Sequence, residues 1–192
     1  MTSPDPARSA VSLLHTWQLD SATLVTIRAL LDEAYGDDFA EADWEHTLGG
    51  VHALALWEDG QLVGHGSVVQ RRLLYTPPAG AAGTARVLRG GYIEGVAVRA
   101  DRRRRGHGGA IMGALGDVIH GAYAVGGLSA SDEGRSLYEG QGWLAWQGRT
   151  FAMAPHGLER TEEEDAGIFV LPVEPLDLGG DLACDWRDGD VW

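Results

Sequence analysis

At 192 residues, with 44% hydrophobic and 22% charged residues, the chain is long enough for one domain with a full core and has the composition of a soluble globular protein. It carries no apolar run long enough to span a membrane and no visible signal peptide, and its single cysteine, Cys184, excludes an internal disulfide, so a reducing cytoplasm is expected. The charge is −13 overall but uneven: between residues 84 and 109 seven arginines face only Glu94 and Asp101, giving +5, which leaves −18 for the remainder. A basic island in an acidic protein fits an anionic cofactor beside a cationic second ligand, and it argues against nucleic acid, which meets a broad basic face. The alternative is that much of the acidic excess is a solubility surface.

Taken in chain order, residues 1–10, with Pro4 and Pro6, read as a loose leader, and residues 11–192 as a single domain. Val11 to Trp17 is a first strand. Ser21 to Tyr35 reads as a helix, capped by Asp20 or Ser21, faced by Leu24, Ile27 and Leu31, and ended by Gly36. Asp37 to Glu45 is an acidic loop holding Phe39 and Trp44, or else an acidic helix N-terminus at Asp43. Val51–Trp57 and Leu62–Gln70 read as strands joined by the turn signal Glu58-Asp59-Gly60-Gln61. Pro77 to Ala85 is an exposed loop, and strand-like residues run from Arg86 to Arg99. An amphipathic helix follows, with Ile111, Met112, Leu115, Val118 and Ile119 on one face. Tyr123–Ala130 is a short strand. Ser131 or Asp132 caps a helix carrying Leu137 and Tyr138, with Gly142 as its stop. Trp143–Ala154 is a strand, Glu159–Asp165 an acidic loop, Phe169–Val173 the last strand, and Cys184–Trp192 a tail. This order predicts a mixed α/β sheet.

The stretch Arg103-Arg-Arg-Gly106-His-Gly108-Gly109 lies between strand and helix. There, backbone N–H groups at a helix N-terminus cradle phosphate, glycines let the backbone come close and arginines add charge-assisted bonds. A nucleoside-triphosphatase loop is excluded, because the chain has no lysine. A dinucleotide fingerprint after a first strand is also absent. The motif Arg-x-x-Gly-x-Gly resembles the acetyl-CoA pyrophosphate loop of the GCN5-related N-acetyltransferases (GNAT). The alternatives are a solvated arginine run and a nucleic-acid patch. The GNAT resemblance implies a mixed, mostly antiparallel central sheet flanked by helices, with central strands splayed to admit pantetheine.

Acetyl transfer to an amine needs a base for the ammonium proton, a donor for the carbonyl oxygen as charge develops, an acid for the thiolate, and both substrates held together. Glu94 is the candidate base: a lone carboxylate in the apolar run Tyr92–Val98, beside Gly95, which suggests a bulge that re-aims the backbone. Partial desolvation would raise its pKa. Alternation alone would also allow a strand carboxylate facing solvent. Tyr138 lies in Leu137-Tyr-Glu-Gly-Gln-Gly-Trp143, which resembles the GNAT Leu-Tyr-x-x-x-Gly-Phe/Trp segment, where the tyrosine protonates the thiolate; by composition alone a helix tyrosine is packing. The acidic stretches, with Trp44 and Trp192, suggest a pocket for a polyamine-like or polycationic sugar.

Asp43–Gly50, Gln70–Tyr75, Gly91–Asp101 and the tail Cys184-Asp-Trp-Arg-Asp-Gly-Asp-Val-Trp192 are together similar to the aminoglycoside 2′-N-acetyltransferases of mycobacteria and related actinobacteria, and the similarity spans nearly the whole chain beyond the leader. The resemblance implies that Asp38, Asp43 and Ser129 contact substrate amines and hydroxyls. It makes Glu94 activate the amine through ordered water, with the Gly95 backbone touching the sugar. Val96, Ala97 and Val98 would pair with pantetheine, the Val96 N–H polarising the thioester carbonyl. Arg103, Arg104, Arg105, Gly106, His107 and Gly108 would hold the pyrophosphate. Tyr138 would be the general acid, and Glu163, Glu164, Asp190 and the Trp192 carboxylate would complete the cationic pocket at the catalytic centre. The resemblance further implies a homodimer.

Two features depart from that family. The acidic run is Glu162-Glu-Glu-Asp165 where mostly Asp is expected, which puts the reach of Glu164 in question, and the 77–85 insertion is longer than the family's turn. The histidines and Cys184 lack metal-ligand spacing, so no metal is expected. Two other readings stay open: an N-acetyltransferase for a cellular amine or amino sugar, and a non-catalytic acyl-CoA-binding sensor.

Overall fold

The structure, a computed structural model, describes residues 11–56, 59–131 and 134–192. The expected leader, Trp57 and Glu58 of the first hairpin, and Asp132 as a cap lie outside the described residues. In chain order the elements are β1 (Val11–His15), α1 (Ser21–Tyr35), α2 (Glu41–Thr47), β2 (Val51–Leu56), β3 (Leu62–Thr76), β4 (Arg86–Val98), α3 (His107–Ala122), β5 (Val125–Ser129), α4 (Arg135–Glu139), β6 (Leu144–Ala145), β7 (Thr150–Ala154), β8 (Gly157–Arg160), β9 (Ile168–Pro172) and β10 (Asp181–Asp185). Single 3₁₀ turns sit at Thr16–Gln18, Gly36–Asp38, Ala100–Arg102 and Glu162–Glu164. Among the described pairings most are antiparallel, with β4–β5 and β7–β10 parallel, so the expected mixed sheet is present. Among the described residues no helix is long and apolar enough to cross a membrane.

The described residues divide into two compact units, each built from two stretches: 11–69 with 94–115, and 70–93 with 116–192. In the first, β1 pairs antiparallel with β2, and β2 with the first half of β3. Helix α1 begins where expected because Asp20 accepts from Thr23 N at 2.8 Å, and it ends at Gly36, whose φ is +63°. Ile27, Leu30 and Leu31 lie on one face at i, i+3 and i+4 and pack with Leu19, Leu54 and Ala97. Burying each such Leu or Ile contributes roughly 1.5–3 kcal/mol as an upper estimate.

In the second unit, β4 pairs parallel with β5 over Gly90–Tyr92 and Val125–Gly127, and β5 is antiparallel to β9 along its whole length. Strand β10 lies antiparallel to the end of β3 and parallel to β7. Tyr92, Leu128, Phe169, Trp143 and Leu182 are almost fully buried here.

Four expectations need correction. The first strand stops at His15, because Thr16–Gln18 form a 3₁₀ turn in which the His15 side chain accepts from Trp17 N. The acidic loop 37–45 contains helix α2, so its helical alternative is the right one from Glu41 onward. The strand expected over Trp143–Ala154 is two strands. Gln147 and Gly148 N–H groups both donate to Leu178 O, and a Cβ on Gly148 would lie 1.7 Å from Gly180 O, so the backbones cross there and the ladder breaks. Phe169–Val173 is not the last strand: β10 follows it.

Candidate active site

In the first unit the site begins at the end of β4. Within this strand the backbone enters the left-handed region at Gly95 (φ +55°), the local kink expected beside Glu94. A Cβ there would sit 2.8 Å from Thr47 Cγ2, so the close approach needs glycine. Side chains hold the main chain on either side: Ser67 Oγ donates to Glu94 O (3.4 Å), the Gly95 carbonyl accepts from His65 Nδ1 (2.7 Å), and Tyr35 Oη donates to Val96 O (2.7 Å). Arg103 Nε donates to Val98 O at 3.2 Å. Glu94, Gly95, Val96 and Val98 are half-buried, and Ala97 packs into the α1 core.

The arginine loop then turns into α3. Arg99 grips Asp101 with two bonds of 2.7 and 3.0 Å, Arg104 (φ +57°) and Gly106 (φ +86°) are left-handed, and Gly106 O accepts the early helical bond from Ala110 N. The two left-handed residues turn the chain from the extended Arg103 into the 16-residue helix α3, whose N-terminal N–H groups are able to bind an anion. Arg103, Arg104 and Arg105 are exposed, and Gly108 lies in the first helical turn. His107 is buried, and burial, then the charges of Arg105 and Arg102, push its imidazole below the ordinary value. The positive charge of the loop therefore comes from the arginines.

On the same unit, Asp38 is exposed in its 3₁₀ turn. Asp43 is engaged at the start of α2, its Oδ2 accepting from Ala40 N at 2.8 Å. Trp44 packs against the α1 core and under Arg28, whose guanidinium is fixed by Asp32 and Glu41 at 2.7 Å each.

In the second unit, Ser129 at the end of β5 donates to Glu164 Oε2 at 3.1 Å. Burial raises the Glu164 pKa, the Ser129 bond opposes this, and the negative charges of Asp190 and Glu163 raise it further. Glu164 is thus bonded to Ser129 and lies within electrostatic influence of Glu163 and Asp190, so these four residues form one acidic cluster. Asp165 of the same run turns away, binding Arg160 and the Thr150 hydroxyl. The tail is folded down: Trp192 is 4% exposed, its indole N–H donates to Thr161 Oγ1 (3.0 Å), and Arg187 donates to Asp190 O (2.7 Å) and Trp192 O (3.0 Å). Arg71, also 4% exposed, stacks on Tyr92 at 4.8 Å and binds Asp185 Oδ1 (2.7 Å) and Asp185 O (2.6 Å), which fixes the start of the tail. Tyr138 is buried beside Trp143 and Phe169, and burial holds its phenol above the usual value. It is therefore protonated at neutral pH. Burial pushes the Cys184 thiol up to about 11, so it is no nucleophile. Among the described residues no group of three or more His, Cys, Asp or Glu is arranged to hold a metal.

Residues 14–142 match the family model described as the acetyltransferase (GNAT) family. The chain belongs to the acetyltransferase (GNAT) family. A curated relative, an aminoglycoside 2′-N-acetyltransferase of Mycolicibacterium fortuitum, is 49% identical over 185 residues, covering 94% of this chain and 90% of that one. Among solved structures the GNAT-family N-acetyltransferase YhbS of Escherichia coli, in complex with CoA, aligns with a TM-score of 0.63 at 16% identity over 97% of this chain and 94% of that one. The ribosomal-protein-S18-alanine N-acetyltransferase of E. coli gives 0.55 at 16% identity, over 88% and 97%. The fold is therefore the GNAT mixed sheet flanked by helices.

Within this acetyltransferase the structure unites Ser129 with Glu164, Glu163 and Asp190, and Glu94 with the Gly95 kink. Asp43 and Trp44 carry structural contacts of their own. Sequence reasoning missed Tyr35, His52, His65 and Arg71. His52 and His65 lie in continuous buried runs of β2 and β3, where no local pattern marks a histidine or its partner.

Proposed function

We propose that this acetyltransferase moves the acetyl group of acetyl-CoA to the 2′-amino group of an aminoglycoside, by direct attack in a ternary complex. The near full-length 49% identity to the curated 2′-N-acetyltransferase carries the reading. The acidic cluster supports it, since a polycationic sugar is met by carboxylates and hydroxyls. Acetyl-CoA use rests on the family and on the CoA complex of its structural neighbour. The left-handed arginine loop and the α3 N-terminus, Arg103 to Gly108, hold the pyrophosphate, and Val96, Ala97 and Val98 bind pantetheine through their main chain.

Glu94 accepts the ammonium proton through water, which frees the nitrogen lone pair. The Val96 N–H meets the carbonyl oxygen as charge develops. As the C–S bond breaks Tyr138 gives its proton to the departing thiolate, and the second proton shed by the newly acylated nitrogen restores the phenol. Asp38, Asp43, Gly95, Ser129, Glu163, Glu164, Asp190 and the Trp192 carboxylate bind the sugar's ammonium and hydroxyl groups. We further propose a cytoplasmic homodimer, for which light scattering gives the mass. Acetyl-CoA labelled with ¹³C in the acetyl group, reacted with a 2′-amino aminoglycoside, tests the position directly by NMR. The label is expected on N2′; a label on another nitrogen, or none, overturns the reading.

A further inference from the structure

Two fully buried imidazoles lie behind the Gly95 kink, His52 on β2 and His65 on β3, each 0% exposed. Burying two such polar rings costs free energy that leucines would avoid, unless every ring nitrogen is bonded. All four are. His65 Nδ1 is 2.7 Å from Gly95 O, His65 Nε2 is 2.9 Å from His52 Nδ1, and His52 Nε2 is 2.8 Å from Thr16 Oγ1, which in turn accepts from Gly49 N at 2.8 Å.

The two ends fix the direction of the whole chain. Gly95 O only accepts, so His65 Nδ1 carries hydrogen and His65 Nε2 is the acceptor. His52 Nδ1 must then donate, which leaves His52 Nε2 to accept from the Thr16 hydroxyl, at 2.8 Å a nearer acceptor than Gly50 O at 3.2 Å. Gly49 N–H closes the far end as a donor. Both rings are neutral in this arrangement, and burial accordingly lowers His52 to about 4 and His65 to about 3. Four donor-to-acceptor bonds run one way and polarise one another, and their sum falls on the Gly95 carbonyl.

That carbonyl and the Val96 N–H belong to one peptide group. Amide resonance couples them: electron density drawn to the oxygen makes the N–H a stronger donor. Tyr35, bonded to the next carbonyl, and the Thr47 methyl, which closes the space at Gly95, hold the same peptide in orientation.

We infer that the Thr16–His52–His65 chain is a positioning and polarising device for the Gly95–Val96 peptide, strengthening the Val96 N–H that faces the thioester oxygen. It rests on the acetyltransferase reading above for the role of that N–H. His52 and His65 touch no substrate in this scheme; they act through the peptide.

The test compares H65L, H65N and H52L with the wild type. Asparagine places an N–H near the position of Nδ1, so H65N keeps the donor to Gly95 O, whereas H65L removes it. Loss of an entire oxyanion donor costs about 10²–10³-fold in kcat. Loss of its polarisation alone is expected to lower kcat about tenfold in H65L and less in H52L, with both KM values within about threefold, while H65N recovers most of the rate. A readout independent of turnover uses protein labelled with ¹³C-carbonyl glycine and ¹⁵N-valine. Only Gly50-Val51 and Gly95-Val96 then give cross-peaks, because these are the two Gly-Val pairs in the chain.

The Gly95 carbonyl signal is expected to move upfield in H65L and H52L and to return toward the wild-type position in H65N. A folded H65L with wild-type kcat, or a carbonyl signal that does not move, overturns the inference. If H65L does not fold, H52L and H65N decide by the same two readouts. Absence of turnover in the wild type would instead remove the acetyltransfer reading and leave the carbonyl shift to be judged alone.

Discussion

Between Glu94 and Gly108 the atoms assigned to acetyl-CoA are mostly main-chain: the Val96 N–H, the strand edge to Val98, and the N–H groups of the turn into α3. Between Ser129 and Trp192 the atoms assigned to the acceptor are mostly side-chain carboxylates and a hydroxyl. A site made of backbone is indifferent to many side chains but depends on dihedral angles, so its supports are a left-handed glycine, a packed methyl and bonded carbonyls. A site made of carboxylates depends on charge and protonation, so its supports are neighbouring acids and a tied-down tail. The first suits a cosubstrate of constant shape; the second suits a cation bearing many ammonium groups.

The largest expected effect is at Glu94, the one side chain of the backbone-built region to which the proposed mechanism gives a proton. Glu94→Gln should lower turnover by about 10²–10⁴, most severely at low pH where the amine is protonated, with acetyl-CoA binding nearly intact. An unchanged pH–rate profile would remove Glu94 as base. Next, Glu164→Gln should raise the acceptor KM about tenfold or more, the worth of one charged hydrogen bond, without moving the acetyl-CoA KM. Because its pKa is raised, the wild-type acceptor KM should begin to worsen, as pH falls, above the ordinary glutamate range. Deleting Trp192 should also raise the acceptor KM; if only the acetyl-CoA constant moved, the tail would not belong to the acceptor side.

Gly95→Ala tests the backbone side: forcing a Cβ into a left-handed position against Thr47 should cost about 1–3 kcal/mol in urea unfolding, whereas Val98→Ala should leave the acetyl-CoA KM within a few-fold.

The two buried histidines give an acid signature. Their folded values, about 4 and about 3, lie below the 6.5 of the unfolded chain. The unfolded state therefore binds more protons in that window, and stability falls as pH drops below 6.5, by up to about 1.4 kcal/mol per pH unit for each ring. Urea melts of wild type and H65N between pH 4 and 7 should show a shallower slope in the variant. The smallest effect is Ser129→Ala, expected to raise the acceptor KM only several-fold, since one neutral hydrogen bond contributes about 0.5–1.5 kcal/mol.

Local features of the fold were legible in the sequence where local chemistry decides them. Asp20 and Gly36 mark both ends of α1, and the glycine-rich arginine run marks the turn into α3. Strand β10 was not legible, because it is five residues bounded by aspartates and its partners β3 and β7 lie far away in sequence. The break at Gly148 depends on a crossing with Gly180 that no pattern encodes. At the site, Glu94 stood out as a charge in an apolar run, and the tail stood out by resemblance. Tyr35, His52 and His65 did not, since Tyr35 and His65 bond β4 carbonyls 61 and 30 residues away and His52 bonds His65, 13 residues on in another strand. Arg71 binds a residue 114 positions on.

Thiol release from acetyl-CoA, measured with a 2′-amino aminoglycoside and with a matched drug bearing a 2′-hydroxyl, tests the central claim most directly. Turnover with the first and none with the second is the predicted result. Equal turnover with both, or none with either, would contradict it.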